Sequence, residues 1–274
     1  MAPTIVNGVP ARVGLMVIVM TVLTGVASAQ ALGPEILIWV DTVPSYRPAV
    51  AFDIVHEQFL VVWYNQQGPA ALDVYARRVN LDGSLSTWFA IVAGMGEKHF
   101  NPVVAYNHLG QEYLVVWTRE FAATDYDLWG SLVAWNGSTV GTPFAINLEV
   151  GKQDFPEVAY NPNDDEYLVV YGNTWPGGLQ DIAAQRVDGD GSLLSWANIS
   201  TSATADRFAP SVAFSPELNT YLIGYSRDSG GTAGIDVAGK VAAPNLAGVS
   251  PAPEIAIVDD GTADVINPAP VSYT

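Results

Sequence analysis

Cysteine is absent from the 274 residues. The fold is therefore held without disulfides and packing must supply its stability. Lipid attachment through a cysteine behind an export signal is excluded as well. Positive charge is scarce, with 11 Lys and Arg against 28 Asp and Glu. A chain this acidic lacks the clustered bases that a phosphate backbone requires, which argues against nucleic acid. Histidine is limited to His56, His99 and His108. No two of them share a strand at metal-ligand spacing. His56 and His108 are expected in turns and His99 in a loop, all as surface residues rather than ligands. Helical periodicity is missing beyond residue 33. No metal and no cofactor is expected.

The N-terminal 29 residues carry one charge, Arg12, followed by an uncharged run from Val13 that ends in Ala27-Ser-Ala29. A positive start, an apolar stretch and an A-x-A site make a bacterial-type export signal, with cleavage leaving Gln30 first. Val13 to Leu32 is also about 20 residues without charge, enough for a membrane anchor with Arg12 on the cytoplasmic side. Two regions follow from this: 1–29 as signal peptide or anchor, and 30–274 as the exported domain, periplasmic or extracellular. Without Arg12 that domain has a net charge of 10 − 28 = −18.

The strongest positive signal is a repeat. Pro48-Ala-Val-Ala-Phe52, Pro102-Val-Val-Ala-Tyr106, Pro156-Glu-Val-Ala-Tyr160 and Pro210-Ser-Val-Ala-Phe214 follow one another in steps of 54, since 102 − 48 = 156 − 102 = 210 − 156 = 54. Each unit holds four short apolar runs. The first, around the proline motif, is apolar on consecutive residues and reads as a strand buried on both faces. Asp53, Asn107, Asn161 and Ser215 end it as turn formers. The second reads Phe59-Leu-Val-Val-Trp63, Tyr113-Leu-Val-Val-Trp117, Tyr167-Leu-Val-Val-Tyr171 and Tyr221-Leu-Ile-Gly-Tyr225, mostly aromatic and β-branched. A half-polar third strand spans Asp73 to Val79 and its counterparts. A fourth lies at Phe89 to Val92, Phe144 to Asn147, Ala197 to Ser200 and Glu254 to Val258.

Four antiparallel strands repeated at about 50 residues specify a propeller blade. The expected fold is all-β: a β-propeller of four-stranded antiparallel blades, four full repeats plus a partial fifth, preceded by one N-terminal hydrophobic helix. The units resemble those of secreted bacterial β-propeller repeat proteins, which carry Pro-x-Val-Ala-Tyr followed by Tyr-Leu-Val-Val-Trp. That resemblance implies the fold and export, and no particular activity. Pro34-Glu-Ile-Leu-Ile38 matches the fourth strand of a unit and Ala269 to Tyr273 a first strand, so the two ends are expected to meet in a partial fifth blade.

Chemistry is harder to find. Five-bladed propellers include glycosidases, which need carboxylates converging on the channel. The positions preceding the channel-facing prolines are Arg47, Asn101, Phe155 and Ala209, and Glu157 is the only carboxylate on the first strands before the turn. No carboxylate pair appears. Asp188-Gly-Asp-Gly191 reads as a hairpin turn rather than a calcium loop, and Asp73, Asp127 and Asp181 as turn caps. Positive charge does gather. Arg47, Lys98, Lys152 and Arg207 fall in the loops from fourth to first strand, and Arg119 and Arg227 follow the second strand. Exposed-looking aromatics join them: Tyr46, Phe100, Phe121, Tyr126, Trp175 and Phe208. On a rigid scaffold such loops form a recognition rim, although Glu97, Asp154, Asp206 and Asp228 lie beside these bases to neutralise them. The expectation is a non-enzymatic binding or scaffold module with a protein partner, in one variant a membrane-anchored periplasmic subunit of a larger complex. A carbohydrate-binding or glycoside-processing propeller with a sugar ligand is the alternative.

Overall fold

The computed structural model describes residues 35–40, 42–68, 70–94, 96–202, 204–228, 234–249 and 253–258. The expected signal or anchor over 1–29 and the first strand at 269–273 lie outside them. All the regular structure described is β. Among the described residues no helix is long and apolar enough to cross a membrane.

The sixteen strands fall into four antiparallel units. They are β1 (Ser45–Asp53), β2 (Gln58–Gly68), β3 (Ala71–Asn80) and β4 (Phe89–Val92); β5 (Lys98–Asn107), β6 (Glu112–Ala122), β7 (Asp125–Ala134) and β8 (Phe144–Asn147); β9 (Lys152–Asn161), β10 (Glu166–Thr174), β11 (Gln180–Asp188) and β12 (Leu193–Ser200); and β13 (Asp206–Ser215), β14 (Thr220–Asp228), β15 (Ile235–Ala242) and β16 (Ile255–Val258). Within each unit a strand pairs with the one before it. The four strands thus coincide with the four apolar runs of each repeat.

The turn after each first strand is built by its last residue. Asp53 accepts from the backbone N–H of Val55 and His56, Asn107 from Leu109 and Gly110, and Asn161 from Asn163 and Asp164. A side-chain oxygen imitating a backbone acceptor closes such a turn. The turns end on Glu57, Gln111, Asp165 and Asn219, all with positive φ and again 54 apart. Asp188-Gly-Asp-Gly191 is a hairpin turn, with Gly191 N–H on the Asp188 carbonyl at 2.9 Å.

The second strands explain the stacking. On β6, Tyr113, Val115 and Trp117 enter one core with Leu60, Val62, Val74 and Ala76 of the first unit. Leu114 and Val116 on its other face enter a core with Tyr167, Val169 and Tyr171 of the third. On β10, Leu168 and Val170 continue into a core with Tyr221, Ile223 and Tyr225 of the fourth. The second and third units thus have two apolar faces and bury both against neighbours, which is why these strands read as uninterrupted hydrophobic runs. The first strands β1, β5, β9 and β13 lie against one another in succession and surround the axis.

Two local expectations change. Residues 35–38 form no strand among the described residues. Instead, the Ile38 carbonyl accepts from the Arg77 guanidinium at 2.7 Å, and Trp39 packs on Trp63, Tyr75 and Trp88. His99 is not a surface loop residue. It lies in β5, is 3% exposed, and its Nδ1 accepts from Trp117 Nε1 at 3.0 Å. Burial pushes its pKa down, while Glu97 pulls it back up.

Candidate functional site

Each first strand carries a β-bulge at the same place. The pairing jumps from Tyr46↔Tyr64 to Ala49↔Val62, from Phe100↔Thr118 to Val103↔Val116, from Asp154↔Gly172 to Glu157↔Val170, and from Phe208↔Ser226 to Ser211↔Gly224. Two residues on the first strand therefore oppose one aromatic on the second: Trp63, Trp117, Tyr171 or Tyr225. The second residue of each pair is the motif proline, which has no N–H to give a ladder and is accommodated at a bulge. The first is Arg47, Asn101, Phe155 or Ala209, with φ of 48°, 50°, 51° and 47°. A left-handed conformation costs an L-residue about 1–2 kcal/mol, and a following proline ordinarily holds its predecessor extended. Four copies of such strain around one axis re-aim four side chains.

They are aimed at a pocket. It encloses ≈ 610 Å³ and is lined by Arg47-Pro48-Ala49, Asn101-Pro102-Val103, Phe155-Pro156-Glu157 and Phe208-Ala209-Pro210. That volume lies within the range of small-molecule sites. Across it the Arg47 guanidinium sits over the Phe155 ring, 5.1 Å from its centroid. Glu157 is the one carboxylate in this lining. Its side chain meets solvent within the pocket but is hemmed in by protein. Confinement pushes its pKa up to about 7, against an opposing pull from Arg47. The carboxyl therefore holds a proton close to neutral pH, as a general acid must.

The pocket is braced by Asp154. Its Oδ1 accepts from Asn101 Nδ2 at 2.8 Å, from Thr118 Oγ1 at 2.9 Å and from the Phe155 N–H at 2.7 Å. One carboxylate thus ties the second unit to the third and fixes two of the four pocket tips.

The rim residues separate into groups. Arg47 and Phe208 line the central pocket. Lys98 bonds both carboxylate oxygens of Glu120, at 2.9 and 2.8 Å. Phe100 packs edge-on to Tyr64 and Tyr126, and Lys152 Nζ lies 4.7 Å from the Tyr126 centroid. Arg119 bonds Glu97 at 2.8 Å and covers Trp129 and Phe121, the latter 66% exposed. Arg207 is buried on Glu254 at 2.7 Å, and Arg227 joins Asp236 at 2.9 Å and Glu254 at 3.7 Å. Trp175 is exposed after β10. Sequence proximity suggested the wrong neutralising partners for most of these bases. Glu97 neighbours Lys98 in the chain but pairs with Arg119, while Lys98 takes Glu120; Glu120, Glu254 and Asp236 are brought in by strand pairing. Among the described residues no group of acids or histidines could hold a metal ion.

Sequence reasoning singled out Glu157 as the lone channel carboxylate, but its raised pKa depends on walls contributed by other units. It placed Arg47 on the rim, and the bulge carries it into the pocket. It took Asp154 for a local counter-ion and missed its bracing role. The available signal was the tip position itself, which changes in every copy of an otherwise regular repeat.

No protein-family model matches the sequence, and no curated protein matches it. Solved structures do. An alpha-L-arabinanase of Penicillium chrysogenum, complexed with arabinobiose, superposes with a TM-score of 0.59 at 15% identity, covering 84% of this chain and 74% of that one. An alpha-L-arabinofuranosidase of Fusarium graminearum, also with arabinobiose, gives 0.58 at 14% identity, over 83% and 71%. The alpha-L-arabinofuranosidase of Podospora anserina, in complex with cellotriose, gives 0.53 at 10% identity, over 83% and 72%. At these identities the likeness establishes the fold: an all-β propeller. The expectation of a non-enzymatic scaffold is corrected by it, because the folds this chain shares are those of glycoside-cleaving enzymes, and the sugar ligand carried as the alternative is the better-supported reading.

Proposed function

We propose that this protein is a carbohydrate-active β-propeller that takes a sugar in its central pocket, with Glu157 as the proton-carrying group. The observation that carries the reading is Glu157 itself, a carboxyl with a pKa near 7 in the wall of the axial pocket. A protonated acid beside a glycosidic oxygen assists departure of the leaving group. Phe155 and Phe208 offer apolar faces for a sugar ring, and Arg47 and Asn101 offer donors for its hydroxyls or a carboxylate. The ring is read as five-bladed and the domain as exported; the arabinose-cleaving propellers and the N-terminal sequence respectively support these two points.

A second reading, sugar binding without cleavage, is favoured by the single carboxylate, since glycoside hydrolysis ordinarily uses two. One experiment separates the two. Purified protein is titrated by calorimetry with arabinobiose, cellotriose and sialyllactose, and the same mixtures are assayed for released monosaccharide. The enzyme reading expects release by the native chain and loss of release, with retained binding, in Glu157→Gln. Binding without release establishes the second reading, and absence of binding to all three sugars overturns both.

A further inference from the structure

Beside the central pocket a second cleft opens between the first two units. It encloses ≈ 350 Å³ and is lined by Tyr46, Tyr64, Gln66, Leu72, Lys98, Phe100 and Glu120. Its aromatic rings form a connected row, with Tyr46 and Tyr64 at 5.4 Å and Tyr64 and Phe100 at 6.4 Å between centroids, and Tyr126 outside the lining supports Phe100 at 5.6 Å. Tyr46 is 42% exposed. The cleft adjoins the pocket through the chain, since Tyr46 and Phe100 immediately precede the pocket tips Arg47 and Asn101. Tyr64, whose phenol is pushed up chiefly by burial, also feels the charges of Arg47, Tyr46 and Asp154. Aromatic rings with part-exposed polar groups around them match a sugar, whose C–H face stacks while its hydroxyls bond outward. The Lys98–Glu120 pair supplies both a donor and an acceptor at the edge of the row.

We infer that this cleft is a second saccharide subsite, so that the ligand is an oligosaccharide running from the central pocket outward across the junction of the first two units. The inference rests on the sugar reading of the central pocket and adds direction and length to it. A single monosaccharide would occupy the tips around Glu157 and leave the Tyr46–Tyr64–Phe100 row empty. A trisaccharide would reach it.

The test measures affinity against chain length. The native chain, Tyr46→Ala and Phe100→Ala are titrated with arabinose and arabinotriose, glucose and cellotriose, and N-acetylneuraminic acid and sialyllactose. In the series that binds, the trisaccharide should bind the native chain more tightly than the monosaccharide. Phe100→Ala should remove about tenfold of trisaccharide affinity and leave monosaccharide affinity unchanged within about twofold. Tyr46→Ala, at a side chain 42% exposed, should act in the same direction. Retained monosaccharide binding serves as the control for folding. Equal losses for both lengths, or no loss for either, overturn the second subsite while leaving the central one standing. Absence of binding by any of the six sugars overturns the central reading, and this one with it.

Discussion

The second strands and the tips of the first strands repeat at the same 54-residue interval and carry opposite kinds of information. In the second strands both backbone and side chains recur: Leu60, Leu114 and Leu168 are all fully buried, and Trp63, Trp117, Tyr171 and Tyr225 fill the space opposite each bulge. At the tips only the backbone recurs. Four left-handed residues within a few degrees of one another present an arginine, an asparagine, a phenylalanine and an alanine. The propeller thus keeps its scaffold uniform and concentrates its differences in one ring of four positions around the axis. Rigid surroundings make strain there affordable, since the cores between neighbouring units fix the strands from which the tips project.

The comparison breaks most visibly in the core. Leu168 and Leu222 occupy the same repeat position, yet the former is fully buried between two units and the latter is 41% exposed on the flank of the fourth. Leu168→Ala should cost about 3 kcal/mol through lost contacts and the cavity left behind, and Leu222→Ala under about 1 kcal/mol. Urea denaturation of the two variants checks this, and equal costs would mean that something covers the flank.

At the pocket the expected effect is smaller and depends on pH. The folded-state pKa of Glu157, about 7, lies above its ordinary value of 4.5, so folding takes up a proton. The associated stability is complete below about pH 4.5 and is lost as pH rises through about 7. Glu157→Gln should therefore match the native chain in stability at pH 4.5 relative to its own baseline and gain on it by about 1 kcal/mol at pH 8, a figure discounted for the access of water to the carboxyl. Melting temperatures at the two pH values test it, and a difference independent of pH would refute the raised pKa.

Smallest is the tip backbone. Ala209→Gly should stabilise by about 0.5 kcal/mol, since relief of the left-handed strain outweighs the added freedom of the unfolded chain. A loss of stability on chemical denaturation would show that the bulge imposes no strain at Ala209.

Much of this architecture is legible in the residues. Runs such as Tyr113-Leu-Val-Val-Trp117 announce a strand buried on both faces, and Asn107 or Asn161 announces the turn that precedes it. The rim was only partly legible. Arg207 and Arg227 look like solvent-facing bases beside Asp206 and Asp228, but both converge on Glu254, which is distant in sequence and arrives through β16. His99 looks like a loop residue because the strand it belongs to is read only from the proline onward. The bulge hides the earlier half, breaking the alternation that would have revealed it.

The sequence by itself determined the unit, the strand order within it, and the position that varies, because these depend on local pattern and on a repeat that fixes spacing. Only the tertiary structure decided what the varying position does. The pocket takes one tip from each of four units, and the proton on Glu157 is held by walls from other units against the opposing charge of Arg47, which lies far away along the chain. Desolvation and Coulomb interaction act through space, so the chemistry of the site appears only when the units are assembled around their axis.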